Sequence, residues 1–145
     1  LGFCCAIVEY PVPAAGVATA VEFGCVDILV ANAGIANAAP REGSGLELWN
    51  RNISILATGY FLITREAFRL LKRQACGGAI AFIASKNALV ASPNASAYCT
   101  AKAAEVQLAR AVALEGGPLG IRCTVVNPDA VLRGAKLWSL SLIHL

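Results

Sequence analysis

The stretch AIAFIASKNALVASPNASAYCTAKAAEVQLARAVALEGGPLGIRCTVV, residues 79–126, decides the fold. It opens with the apolar run Ala79–Ala84 and closes with Ile121–Val126, and both runs have the length of a buried strand. Between them, the alanine-rich segment Tyr98–Glu115 predicts a helix, which the Gly116-Gly117-Pro118 cluster ends. Ser85–Ala97, with Pro93 and Asn94, predicts a loop. Strand, helix and strand in this order indicate a βαβ unit with parallel strands and a right-handed crossover.

The chain before this unit repeats the pattern. The predicted elements there are strands at Gly2–Val8 and Val26–Ala31 and helices at Ala14–Phe23 and about Leu46–Gln74. Ser44 and Glu47 form the S-x-x-E pattern of a capping box at the start of the long helix, and Gly77-Gly78 ends it. The sequence therefore predicts an α/β fold with a Rossmann-type doubly wound parallel sheet that is incomplete. Its apolar strands indicate a sheet that is covered on both faces, a truncation that exposes what should be core or interface, or both.

Composition limits the classes of protein that fit. The chain has 145 residues, enough for one domain. Because it starts at Leu1 and contains no methionine, we expect it to be a piece of a longer reading frame or a processed product. The sequence contains no run of eighteen apolar residues, so it predicts no transmembrane helix. The net charge is +3, but the basic residues are scattered and have no aromatic partners, which argues against nucleic-acid binding.

The cysteines indicate a reducing environment. Six cysteines show no C-x-x-C pattern, and the one histidine is the penultimate residue, so we expect no metal site. Most of the thiols lie in apolar runs, where cysteine acts as a small hydrophobic residue. We therefore expect a cytoplasmic location.

Three strand ends are predicted to share one rim. In parallel sheets, ligands bind beyond the carboxyl ends of the strands. Asn32-Ala33-Gly34, Ser85 and Asn127-Pro128-Asp129 each follow a predicted strand. We expect these three segments to line the binding site.

Tyr98 and Lys102 are four residues apart on the predicted helix, so the phenol and the ammonium share a face. A tyrosine has an ordinary pKa of about 10, too high for an efficient base near neutral pH. A neighbouring ammonium favours the phenolate and is expected to lower that pKa. With the Ser85 hydroxyl opposite, the set suits proton transfer at a carbonyl or alcohol oxygen.

The strand-end ANAG (Ala31–Gly34), Ser85, the Y-x-x-x-K pair and Pro128 together resemble the short-chain dehydrogenase/reductase family, from about Val26 to Trp138. The resemblance implies NAD or NADP as cofactor and a small-molecule substrate. It implies that Ser85, Tyr98 and Lys102 are catalytic. It also implies that the cofactor is contacted by Asn32, Ala33, Gly34, Tyr98, Lys102, Pro128 and Val131. Members commonly pair through the helices that correspond to 46–74 and 98–115, so a homo-oligomer is expected.

The chain departs from the family pattern at several points. Leu56 stands three residues before Gly59, where many members have an asparagine that relays protons. Asn52, one turn earlier, is either a substitute for it or an ordinary helix-surface residue. Asp129 replaces a common glycine. The T-G-x-x-x-G-x-G turn that holds the pyrophosphate is missing, so we expect residues 1–145 to form a partial domain, family-like over 26–138 and not placed over 1–25.

A narrower resemblance covers Ser85–Glu105 and Asn127–Trp138. These segments look like the dehydrogenase portion of bifunctional rhamnulose-1-phosphate aldolase/short-chain dehydrogenases, which implies rhamnose metabolism and a substrate such as lactaldehyde. Two other interpretations stay open. One is a non-catalytic fragment whose apolar helices serve assembly, and the other is an epimerase or dehydratase that uses the same Tyr/Lys pair. The fragment itself is expected to be inactive.

Overall fold

The computed structural model describes residues 12–129, and the side chains from residue 18 onward. The predicted strand Gly2–Val8 and the candidate cofactor residue Val131 lie outside this range. The described strands are β1 (Ile28–Ala31), β2 (Gly78–Ile83) and β3 (Ile121–Val126). The described helices are α1 (Val12–Phe23), α2 (Leu46–Asn52), α3 (Gly59–Gln74) and α4 (Ser96–Gly116).

The three strands form one parallel sheet in the order β1-β2-β3. Ile28 pairs with Ala79 at the start of β1, and Gly78 pairs with Ile121 at the start of β3. Each pair of neighbouring strands is joined by a helical crossover, which is the connection that parallel pairing requires. The α/β fold with a parallel sheet is thus confirmed.

The two faces of the sheet differ in burial. One face carries Ala31, Ile80, Phe82 and Ile121, all of which are buried under α3 and α4. Because successive side chains point to opposite faces, the alternate residues form the other face. Within residues 12–129 that face is largely open, since Ile28, Val30 and Val126 are 64%, 57% and 51% exposed. One covered and one open face in the described part of the chain agree with the expected incomplete doubly wound sheet.

Tyr60 and Phe82 form the centre of the core. Both are fully buried, and their rings meet edge to face with centroids 5.1 Å apart. Such pairs add about 0.5–1.5 kcal/mol beyond the area that they bury. The Tyr60 hydroxyl reaches the strand ends, 3.0 Å from the Ala31 carbonyl oxygen and 3.2 Å from that of Ile83. This contact ties α3 to the rim where the site lies.

The long predicted helix is present but not uniform. A π-helical segment, Ile53–Thr58, separates α2 from α3. The prediction of a capping box at Ser44 is wrong. Gly45 is the N-cap of α2 and makes no side-chain hydrogen bond. The Ser44 hydroxyl donates to the Ala39 carbonyl instead. Helix α3 ends at Gln74. The next residue, Ala75, adopts the left-handed conformation before Gly77 and Gly78. Among the described residues, no helix combines the length and apolarity needed to cross a membrane.

Helix α4 begins at Ser96, two residues before the predicted start, and includes Gly116. A 3₁₀ turn (Gly117–Leu119) then leads to Gly120, whose positive φ of 69° reverses the chain into β3. A glycine is needed at 116 for a different reason. A Cβ there would lie 2.7 Å from the Ile121 carbonyl oxygen, closer than real Cβ atoms come.

We predict that Gly116→Ala lowers the free energy of unfolding by about 1–3 kcal/mol through this overlap, although alanine favours helices. Gly117→Ala is the matched control, because a Cβ at the next position meets nothing within 4 Å. That variant should stay within about 0.5 kcal/mol of the parent. Urea unfolding of both variants measures the difference. Equal stability of the two would show that the contact between α4 and β3 is looser than described.

Candidate active site

The three predicted strand ends meet at one rim. The Ala84 N–H donates to the Val126 carbonyl at 2.9 Å, and the Lys86 N–H donates to the Pro128 carbonyl at the same distance. The segment after β1 joins them, since a Cβ placed on Gly34 would lie 4.0 Å from Lys102 Nζ. The predicted convergence of these segments is therefore present in the structure.

Lys102 lies at the floor of this rim and is only 4% exposed. Its ammonium donates to the Ile83 carbonyl at 3.1 Å and to Glu105 Oε2 at 3.0 Å. It also lies 5.4 Å from the ring centroid of Tyr60 and 5.9 Å from that of Tyr98. An ammonium has three N–H donors, and the described residues accept two hydrogen bonds from this one.

Tyr98 is half-buried, and burial is the largest influence on the pKa of its hydroxyl. Burial raises the pKa of Tyr98 above its ordinary value, its hydrogen bond with Ser85 lowers it, and the nearby Glu105 and Cys99 raise it further. The expected net lowering of the Tyr98 pKa is therefore wrong. The main physical reason is burial of the phenol, which disfavours its charged form, and the Glu105 carboxylate adds to it.

Ser85 lies directly after β2 in an extended conformation. Its hydroxyl oxygen accepts a hydrogen bond from the Asn87 N–H at 3.1 Å and caps the short 3₁₀ turn Lys86–Ala88. The same hydroxyl interacts with Tyr98. The structural role of capping the turn and the predicted role beside Tyr98 are thus compatible, because the cap fixes the direction of the hydroxyl.

The sequence reasoning missed Glu105. Its side chain is fully buried, and burial raises its pKa to about 7 although Lys102 lowers it. The signal was available: Glu105 lies on the same helical stripe as Ala101, Ala109 and Val112, and all three are buried. A carboxylate on an apolar stripe, one turn after a lysine, predicts a buried ion pair.

Leu56 and Asn52 lie in the helical region where the family resemblance implies a relay asparagine. Leu56 is fully buried in the π-helical segment, with Cδ2 3.6 Å from the Cβ position of Gly34. Asn52 is also fully buried, so the interpretation of it as a helix-surface residue is wrong. Its amide donates to the Leu48 carbonyl at 2.9 Å, and its Oδ1 has no partner among the described residues.

The remaining predicted cofactor residues lie around the rim. Asn32, Ala33 and Gly34 are exposed after β1, and Pro128 is half-buried after β3. Asp129, which replaces the common glycine, forms an ion pair with Lys86. Asn127 Oδ1 is buried at the same rim and has no partner among the described residues. An exposed backbone run and an unpaired polar atom at one rim fit a ligand that lies across the strand ends.

Comparison with known proteins agrees with this geometry. The sequence profile of the short chain dehydrogenase family matches residues 10–136. The chain belongs to this family. It is 49% identical to an uncharacterized oxidoreductase of Bacillus subtilis, YuxG, over 84% of this chain and 18% of that protein. It is 38% identical to D-threitol dehydrogenase of Mycolicibacterium smegmatis, over 94% of this chain and 54% of that enzyme.

A solved structure shows the same architecture. A short chain dehydrogenase from Mycobacterium smegmatis superposes with a TM-score of 0.82 at 31% identity, over 87% of this chain and 52% of that one. This chain thus spans about half, or less, of the length of the relatives that it matches.

We predict that Asn52→Ala lowers the free energy of unfolding by about 1 kcal/mol or more, because it removes a hydrogen bond in a fully buried position. Asn50→Ala is the matched control, since Asn50 is exposed on the same helix; it should change stability by less than about 0.5 kcal/mol. Thermal and urea unfolding measure both.

If Asn52 also substitutes for the relay asparagine, Asn52→Ala lowers turnover in the full-length protein about tenfold or more. Unchanged turnover would remove it from the chemistry.

Proposed function

We propose that this chain is the catalytic part of an NAD(P)-dependent oxidoreductase that interconverts a small alcohol with its aldehyde or ketone. The convergence of Tyr98, Lys102 and Ser85 at the rim of the parallel sheet carries the proposal. Tyr98 interacts with Ser85, and the Lys102 ammonium lies 5.9 Å from the Tyr98 ring centroid. The same groups can serve an epimerase or dehydratase, but the family match favours the oxidoreductase.

Each side chain has a distinct part in this proposal. The Tyr98 hydroxyl gives a proton to the substrate oxygen during reduction and takes it back during oxidation. Ser85, whose direction is fixed by its hydrogen bond from Asn87, holds the same oxygen. NAD or NADP, when bound, supplies or accepts the hydride. Lys102 uses its remaining N–H to orient the cofactor ribose and its charge to favour the Tyr98 phenolate.

The proposed cofactor contacts follow the rim. Asn32, Ala33 and Gly34 would lie along the cofactor, and Pro128 would flank the nicotinamide. Val131, which lies outside the described residues, is proposed to continue this wall. A Cβ on Gly34 would have only ordinary contacts within the protein, so the fold alone does not require glycine there. Close approach of a ligand is a reason for it.

The substrate class is proposed from a sequence resemblance alone. The segments Ser85–Glu105 and Asn127–Trp138 resemble the dehydrogenase portion of bifunctional rhamnulose-1-phosphate aldolase/short-chain dehydrogenases. We propose a small aldehyde or alcohol such as lactaldehyde and, from four free cysteines among the described residues, a cytoplasmic location.

We also propose that the full-length protein forms a homo-oligomer through the helices in 46–74 and 98–115. A groove between α3 and α4 supports this, because it is lined by apolar side chains such as Phe61, Phe68 and Leu108. Phe61 is 48% exposed at its edge. If the chain has no catalytic role, this surface makes assembly the alternative function.

In the full-length protein, Tyr98→Phe should lower turnover by about 10²–10⁴-fold and leave cofactor affinity largely intact, because it removes the proton-transfer group alone. Lys102→Met should lower turnover and weaken cofactor binding together. Lys72→Met, at an exposed position on α3, is the control and should change neither. Steady-state kinetics and cofactor titration measure both quantities. Near-parental turnover of Tyr98→Phe would refute the proton-transfer role.

The 145-residue chain by itself should bind neither NAD nor NADP at physiological concentration and should show no dehydrogenase activity. Its sequence lacks the glycine-rich turn whose N–H groups hold the pyrophosphate, so a nicotinamide cannot be kept within about 3–3.5 Å of a substrate carbon. The open sheet face also predicts self-association. Light scattering followed by isothermal titration tests both points. A monomer with micromolar affinity would contradict them.

A further inference from the structure

Glu105 is a buried carboxylate that the proposed chemistry does not use directly. It lies one turn after Lys102 on α4, and its side chain is fully buried. Oε2 accepts a hydrogen bond from Lys102 Nζ at 3.0 Å, whereas Oε1 is buried without a partner among the described residues. A carboxylate in this state is unfavourable unless the ion pair compensates for its loss of hydration.

The surroundings of Lys102 show why a carboxylate is present. Besides Glu105, the contacts of the ammonium in the described residues are the Ile83 carbonyl oxygen and the rings of Tyr60 and Tyr98. All three are uncharged. Burial lowers the pKa of Lys102, and the charge and hydrogen bond of Glu105 raise it. A buried lysine without an anionic partner tends to lose its proton.

We propose that Glu105 is the positioning residue of Lys102: it keeps the ammonium charged and holds it between the Ile83 carbonyl and the Tyr98 ring. This inference deepens the proposed function and rests on it. The titratable groups that interact with Glu105, besides Lys102, are Tyr98 on α4 and Tyr60 on α3; Cys99 interacts with Tyr98 in turn. Glu105 raises the pKa of both tyrosines, so it also limits how strongly Lys102 favours the Tyr98 phenolate.

The first test measures the charge of Lys102 in the full-length protein. The lysine side-chain NMR signals are titrated with pH, and Lys102→Met identifies the signal of Lys102. Glu105→Gln keeps the shape and a hydrogen-bond acceptor but removes the charge, so Lys102 should lose its proton at a lower pH than in the parent. Glu47→Gln removes an exposed carboxylate on α2 and should leave the titration unchanged. An unchanged Lys102 titration in Glu105→Gln would overturn the proposal.

The second test uses kinetics. Glu105→Gln should lower kcat/KM at pH 7 about tenfold, less than the loss of a proton-transfer group, and should change its pH profile. Glu105→Asp, which restores the charge, should recover part of this loss. In a Lys102→Met background, Glu105→Gln should have almost no further effect on turnover, because its action passes through Lys102. An equal loss in both backgrounds would show that Glu105 acts independently of Lys102 and would refute the positioning role.

Two further outcomes are informative. If Glu105→Gln does not fold while the double variant Lys102→Met/Glu105→Gln does, the carboxylate is needed only when the ammonium is present, which supports the proposal. If neither folds, Glu105 has a structural role apart from Lys102, and the proposal is wrong. The proposed function fails separately, through an active Tyr98→Phe. An inactive Tyr98→Phe with an unshifted Lys102 titration in Glu105→Gln would remove this inference alone.

Discussion

A buried ammonium group organises the site. Lys102 Nζ contacts the end of β2 through the Ile83 carbonyl and its own helix through Glu105. The Ile83 carbonyl also lies 3.2 Å from the Tyr60 hydroxyl, and that hydroxyl is 3.0 Å from the Ala31 carbonyl at the end of β1. Two strand ends, α3 and α4 therefore meet in one hydrogen-bonded cluster. Because each buried polar group needs a partner, moving one element would leave groups on the others unpaired.

The cluster shows how the proposed catalytic geometry can coexist with a raised phenol pKa. An ammonium lowers the pKa of a neighbouring acid only to the extent that its charge is not already neutralised. Here burial of Tyr98 is the largest cause of its raised pKa, and the Glu105 carboxylate, which is paired with Lys102, raises that pKa further. The spacing of Tyr98 and Lys102 places the two side chains on one face of α4, but the pKa of Tyr98 also depends on Glu105. A Tyr/Lys motif alone does not define the acidity of its tyrosine.

The fold itself was largely predictable from local patterns. The apolar run Ile121–Val126 became β3 without adjustment, and the runs near residues 28 and 79 became parallel strands within two residues of their predicted bounds. The outer bounds of the long helix, Leu46 and Gln74, also agree with the prediction, but its N-cap and its interior do not. The capping box predicted at Ser44 does not form, because the Ser44 hydroxyl hydrogen-bonds to the Ala39 carbonyl. The periodicity of apolar residues does not indicate the π-helical segment Ile53–Thr58. The hydrogen bond of Ser44 depends on how the loop before the helix folds back, which the S-x-x-E pattern does not specify.

The sequence by itself determined the parallel α/β arrangement, the rim where the strand ends meet, and the presence of Ser85, Tyr98 and Lys102 at spacings that place them there. Those properties follow from periodicity and chain connectivity, which are local. Only the tertiary structure decided that Glu105 neutralises Lys102, that Asn52 is buried, and that the face with Ile28 and Val30 is open in the described residues. Burial and charge pairing depend on which elements pack against a residue, and this is known only once the helices lie on the sheet.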